Sequence, residues 1–122
     1  MKNMSFALTK EQILNQTKTV TRRLGWKNLK VDSLIQPVEK CMGFKKGEKV
    51  KKLGCPIRVV HVWREQLWQI QEYKDDIIRE GFPDLTTYDF IKMFIGHMKC
   101  GAVDYVTRIE FDYTVPKQEM PG

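Results

Sequence analysis

The order of elements along the 122-residue chain predicts an α+β fold, with strands at the beginning, middle and end and helices between them. Three observations carry the prediction. Pro56-Ile57-Arg58-Val59-Val60-His61-Val62-Trp63 is rich in β-branched residues and apolar at both parities, as a central strand requires. Residues 106–113 alternate, with Thr107, Ile109, Phe111 and Tyr113 on one face and Val106, Arg108, Glu110 and Asp112 on the other. Between these strands, residues 71–80 and 86–97 carry helical spacing with stop and start signals. The length suits one domain that can bury a core unaided, expected over residues 1–115 with a flexible tail over 116–122.

From the N-terminus, Ser5-Phe6-Ala7-Leu8 is a short apolar run, and Thr9 and Gln12 have capping-box spacing for a helix reaching Asn15 or Gln16. Residues 18–23 follow as a strand, and Leu24-Gly25-Trp26 turns the chain. Residues 31–38 read as a further strand that Pro37 interrupts or places at an edge. Residues 40–52 form a basic loop or hairpin with Lys40, Lys45, Lys46, Lys49, Lys51 and Lys52 against a single acid, Glu48. Such a loop is either a solvated surface or a nucleic-acid contact. His61 falls among Ile57, Val59 and Trp63, where a histidine is more often a satisfied core residue than a catalyst.

Residues 71–80 predict a helix with Tyr73, Ile77 and Ile78 on one side, closed by Gly81 in the C′ position and then Pro83. Thr86 and Asp89 give a second capping box. Phe90, Met93, Phe94 and His97 then form the i, i+3, i+4, i+7 stripe of a core-packing face.

Composition narrows the functional classes. No apolar run is long enough to span a bilayer and no signal-peptide core is present, so a cytoplasmic protein is expected. Cys41, Cys55 and Cys100 are odd in number and unpaired in spacing, which favours free thiols. His97 and Cys100 lack a second ligand pair, so neither metal nor other cofactor is expected. Residues 1–58 hold fourteen Lys/Arg against four Asp/Glu, a balance of +10, whereas residues 59–122 hold seven against eleven, a balance of −4. This division suggests a positive face for a polyanion, with RNA or single-stranded nucleic acid as the partner and a monomer as the expected state.

Thr17-Lys18-Thr19-Val20-Thr21-Arg22-Arg23 crowds three hydroxyls and three cations around one aliphatic side chain. In a regular strand Thr19, Thr21 and Arg23 share a face, offering hydroxyls and a guanidinium fork to an acidic or polar ligand. An edge strand protected by its charges is the alternative. Trp26 and Phe44 add aromatic surfaces on which bases can stack.

These pieces in this order, with Arg79-Glu80-Gly81-Phe82-Pro83 before a Phe-rich helix and Arg108-Ile109-Glu110-Phe111 near the end, resemble the ASCH domain family over nearly the whole chain. The resemblance implies a PUA-like fold, a small mixed β-barrel with helices covering its openings and a cleft beside it. It also implies RNA or modified-nucleoside binding; the charge, hydroxyl and aromatic pattern of the chain itself offers Thr19, Arg22, Arg23, Trp26, Lys45, Lys46, Lys51 and Lys52 as the candidate ligand contacts.

One enzymatic branch, the small bacterial amidohydrolases that deacetylate 4-N-acetylcytidine, has a similar Lys-Thr-x-Thr-x-Arg segment. By that likeness Lys18 is the activating base, Thr21 the nucleophile and Glu80 the acid. A helix C-terminus disfavours a carboxylate at Glu80, which suits a proton donor; an exposed glutamate paired with Arg79 or Lys74 is the alternative. The chemistry requires Thr21 Oγ within about 2.6–3.2 Å of the Lys18 amine, directly or through one water, with Glu80 across the cavity. A regular strand puts Lys18 and Thr21 on opposite faces, so Lys18 must sit at the helix–strand junction or at a bulge. This chain differs from that branch in a longer Lys-rich insertion and in Arg22, where the branch has an aliphatic residue. A non-catalytic protein-partner platform is the third reading.

Overall fold

The structure, a computed structural model, describes residues 1–117, and the fold is mixed α+β. One five-stranded sheet is built from β1 (Lys2–Ser5), β2 (Val20–Arg23), β3 (Leu34–Val38), β4 (Ile57–Gln66) and β5 (Tyr105–Tyr113). Its spatial order is β1-β3-β4-β5-β2; only the β1–β3 pair is parallel. The expected barrel is not formed. The sheet stays open, with β1 and β2 as its two edges.

β4 is central, as its apolar run predicts, and pairs with β5 over nearly the full length of both strands. A bulge lies between Val59 and His61, and it decides what each face buries. Ile57 and Val59 enter the core, but the extra residue turns His61 outward. The expected core histidine is therefore exposed, its Nδ1 2.8 Å from Glu110 Oε2. β3 is interior rather than an edge. Its pairing with β4 nevertheless stops at Ile35, two residues before Pro37, where the missing N–H would have interrupted it.

The helices are shorter than their spacing predicts. β1 precedes the Ser5–Leu8 run, and a 3-10 turn over Ala7–Thr9 leads into α1 (Lys10–Leu14). Thr9 occupies the N-cap position without a side-chain capping bond, because it is buried and Gln12 is engaged elsewhere, donating from Nε2 to the Gly81 carbonyl at 2.9 Å. The predicted helix over 71–80 is divided at Tyr73, which is extended. A 3-10 turn at Leu67–Glu72 precedes it, and the four-residue α2 (Asp76–Arg79) follows. Ile77 is buried, while Ile78 is exposed rather than sharing its side. Gly81 closes α2 at φ +100°, where a Cβ would stand 2.9 Å from Gln12 Cγ. α3 (Thr87–Met98) starts as predicted, Thr86 Oγ1 accepting from the Asp89 amide at 3.1 Å.

Two apolar clusters hold these elements. Met4, Phe6, Ile13, Ile35, Leu53, Ile57, Val59, Ile109 and Phe111 fill one, under α1. Leu67, Ile70, Ile77, Phe90, Ile91, Phe94 and Val106 fill the other, under α3. The predicted tail over 116–122 lies mostly outside the described residues, but its start is anchored: Gln16 bonds the Val115 carbonyl and the Lys117 amide. Among the described residues no helix is long and apolar enough to cross a membrane.

Candidate functional site

The Thr/Lys/Arg stretch is only half strand, and that makes the site. Residues 17–19 form the junction between α1 and β2. Their backbone is tied from three sides: the Lys18 amide to the Gln12 carbonyl, the Thr19 amide to the Arg79 carbonyl at 2.8 Å, and the Lys18 carbonyl to the Tyr113 hydroxyl at 2.6 Å. Lys18 thus escapes the alternation of the strand. It enters the same cleft as Thr21, as the junction placement requires.

That cleft, of about 230 Å³, lies between the Ser5–Thr9 segment and α3. Lys18, Thr21, Arg22, Arg23 and Glu80 line its polar side; Phe82, Phe90, Met93, Phe94, His97 and Met98 line the apolar one. The stripe read as core packing is therefore divided: Phe90 and Phe94 are buried in the core and also wall the cleft, and His97 is exposed at it. Nothing in its period could have signalled the second role.

The polar side is an interior ionic network. Lys18 Nζ donates to the Glu80 carbonyl at 2.6 Å and to Glu80 Oε1 at 2.9 Å, and Arg22 Nη1 donates to Glu80 Oε2 at 2.9 Å. Arg22 Nη2 meets Asp76 Oδ2 at 2.5 Å; Arg108 Nε and Nη2 meet the same carboxylate at 2.8 and 2.9 Å. Glu65 stands 3.7 Å from Arg22 and accepts from Trp63 Nε1 at 2.9 Å. All six charged groups are buried. The Arg108 guanidinium also stacks on Trp63, its carbon 4.4 Å from the ring centre.

Burial lowers the Lys18 amine below its ordinary value; Glu80 opposes this, and Arg23 and Arg22 reinforce it. Burial raises Glu65, against the attraction of Arg22. Thr21 Oγ1 accepts from Arg23 Nε at 3.1 Å and makes no hydrogen bond to Lys18, while Glu80 is clamped on Lys18 instead of facing it across the cavity. Glu80 is not an exposed helix-end carboxylate; it is buried, and both its oxygens accept from cations.

The remaining candidates lie elsewhere. Thr19 Oγ1 accepts from Arg79 Nε at 3.1 Å and does not line the cleft. Trp26 lines a separate open groove with Lys2, Lys27 and Lys30. Lys45, Lys46, Lys51 and Lys52 are exposed on the 40–52 loop, where Lys40 pairs with Glu48 at 2.9 Å. Folding also mixes the two charge halves, since Lys18 and Arg22 of the basic half are neutralised by Glu80 and Asp76 of the acidic one. Asp76, Glu65 and Arg108 were not among the candidates from sequence. Arg108 shares its β5 parity with Glu110 and Asp112, so the alternation gave no sign that it is buried.

No protein-family model matches the sequence, and no curated protein matches it. Solved structures do. The hypothetical protein PH0355 matches with a TM-score of 0.64 at 15% identity, over 93% of this chain and 99% of that one. The ASCH domain from Lactobacillus crispatus JV V101 matches with a TM-score of 0.59 at 16% identity, over 92% of this chain and 78% of that one. With the five-stranded sheet in place and the cleft beside its β2 edge, the chain has an ASCH-like fold.

Proposed function

We propose that the cleft binds a single nucleobase or nucleoside, as a reader of RNA or of modified nucleosides. The observation that carries this is the pairing of a hydrogen-bonding side, Lys18, Thr21, Arg23 and Glu80, with an aromatic and methionine wall in one open cleft. A base has a flat face to lie on aromatic rings and an edge of donors and acceptors, and single-stranded RNA readers use both. Thr21 Oγ1 already accepts from Arg23, which leaves its hydroxyl hydrogen to donate. The cleft is smaller than the roughly 300–1,000 Å³ of drug-sized sites, which suits one nucleoside better than a length of strand. An open cleft here also favours a ligand over a protein-partner platform. The exposed lysines of the 40–52 loop would hold a longer RNA by its backbone.

Amide hydrolysis is the second reading, and the lowered Lys18 amine favours it. Against it stands the doubly paired Glu80, both of whose oxygens accept from cations. One experiment separates the readings: incubation with 4-N-acetylcytidine, followed by ultraviolet absorbance and by calorimetry. Binding without spectral change is expected. Turnover abolished in Thr21→Ala and Lys18→Ala would establish the hydrolase, and absence of binding for any nucleoside would remove both.

A further inference from the structure

We propose that the cleft is built for an anionic ligand, whose oxyanion is gripped end-on by the Arg23 guanidinium while its ring lies against the α3 wall. This deepens the nucleoside reading and rests on it for the ring alone. The argument begins with what Arg23 lacks. Lys18, Arg22 and Arg108 each have a carboxylate within 2.9 Å, whereas among the described residues none stands within 4 Å of Arg23. Its charge is attracted by Glu80, but Glu80 gives both oxygens to Lys18 and Arg22. Three cations of the cleft therefore share one carboxylate there, and Arg23 is the one left over.

The guanidinium is nonetheless held in place. One face lies on Phe6, with the guanidinium carbon 4.6 Å from the ring centre, and Nε is committed to Thr21 at 3.1 Å. A guanidinium grips a carboxylate or phosphate in the plane, through Nε with one terminal nitrogen or through both terminal nitrogens. With Nε taken, the end-on pair remains, and no protein acceptor meets either terminal nitrogen among the described residues. Burial pulls Arg23 down to about 10, so it stays charged at neutral pH while poorly solvated. A preorganised, undercompensated fork in a cleft favours an incoming oxyanion, because the ordering has already occurred.

The oxyanion can arrive as a sugar phosphate or as a ring carboxylate, and calorimetry distinguishes them. The full chain and its Arg23→Gln and Arg23→Lys variants are titrated with cytidine, cytidine 5′-monophosphate, orotate and inorganic phosphate. At least one anionic ring compound should bind the wild type about tenfold or more tighter than cytidine. That gap should close to under about twofold in Arg23→Gln and persist in part in Arg23→Lys, which keeps the charge without the fork. Whichever arm shows the gap names the source. Equal affinities in the wild type, or a gap unchanged in Arg23→Gln, overturns the proposal. Inorganic phosphate that binds through Arg23 while no ring compound binds would leave the oxyanion site standing and the nucleoside reading refuted. Binding of nothing refutes both.

Discussion

Asp76→Asn is the sharpest probe of the interior network, because one carboxylate there serves two buried guanidinium groups. Asp76 accepts from Arg22 Nη2 at 2.5 Å and from Arg108 Nε and Nη2 at 2.8 and 2.9 Å, and the Arg22 side chain is fully inaccessible. Asparagine keeps the shape but loses the charge, and its amide nitrogen turns a donor toward donors. Removing one partner of a buried ion pair costs about 3–5 kcal/mol. With an unfolding entropy of about 2.1 cal/mol/K per residue, that loss lowers the midpoint by roughly 12–20 °C. Glu110→Gln is the control, since Glu110 pairs with Arg79 and His61 nearer the surface and its loss should cost under about 1 kcal/mol. Scanning calorimetry reads both. A fall of less than about 4 °C in Asp76→Asn would refute the reasoning.

Acid titration checks the same group by an independent route. Burial works to raise the Asp76 carboxyl, but hydrogen bonds from Arg108 and Arg22 outweigh it and hold it below its ordinary 3.8. A carboxyl depressed on folding binds fewer protons in the folded state than in the unfolded one. Its stabilisation is therefore complete above the unfolded value and is lost as pH falls below about 4 toward the folded one. Glu110 is depressed as well, against the pull of its burial, by hydrogen bonds from His61 and Arg79, so the wild-type loss is a sum. The part absent from Asp76→Asn belongs to Asp76.

Three further outcomes are expected. Gly81→Ala should destabilise by about 1–3 kcal/mol in urea denaturation, because φ +100° is strained for any Cβ and Gln12 Cγ would lie 2.9 Å away. Glu65→Gln should stay within about 1 kcal/mol of wild type at pH 7 in the same assay, because burial already disfavours the Glu65 carboxylate, Arg22 is 3.7 Å away and, among the described residues, Oε2 has no partner. Replacing Lys45, Lys46, Lys51 and Lys52 together by Gln should flatten the log–log salt dependence of single-stranded RNA binding by up to about 3, near 0.7 for each phosphate no longer neutralised. An unchanged slope would make the 40–52 loop a solvated surface.

The parts of the fold legible in the sequence are those that local chemistry decides. β4 was readable from its β-branched run, the start of α3 from Thr86 and Asp89, and the end of α2 from Gly81. What tertiary packing decides was not. Gln12 left its capping box to reach Gly81, and Tyr73 broke a helical pattern to lie near the Arg108 guanidinium, whose carbon is 5.1 Å from the tyrosine ring centre. The bulge after Val59 carries no composition signal, yet it alone exchanged the faces that hold His61 and Val62. Sheet closure depends on whether β1 and β2 meet, and no single segment records that. For the site, Lys18, Thr21, Arg23 and Glu80 were singled out and do share the cleft, while the wall from α3 was hidden inside an ordinary amphipathic stripe.

Arg22 is where this chain parts most clearly from the amidohydrolase pattern, and the structure gives that difference a consequence. An aliphatic side chain there would leave Glu80 Oε2 free to face a substrate. Arg22 instead takes that oxygen at 2.9 Å and is itself pinned by Asp76, which Arg108 pins in turn. Glu80 is thereby fixed as an acceptor between two cations, and Lys18 spends two of its three N–H groups on Glu80. An acid that must give a proton to a leaving amine needs a freedom that these bonds withhold from Glu80. A binding site needs the reverse, donors and acceptors locked in place before the ligand arrives. The lowered Lys18 amine keeps hydrolysis testable, but the network that surrounds it favours recognition.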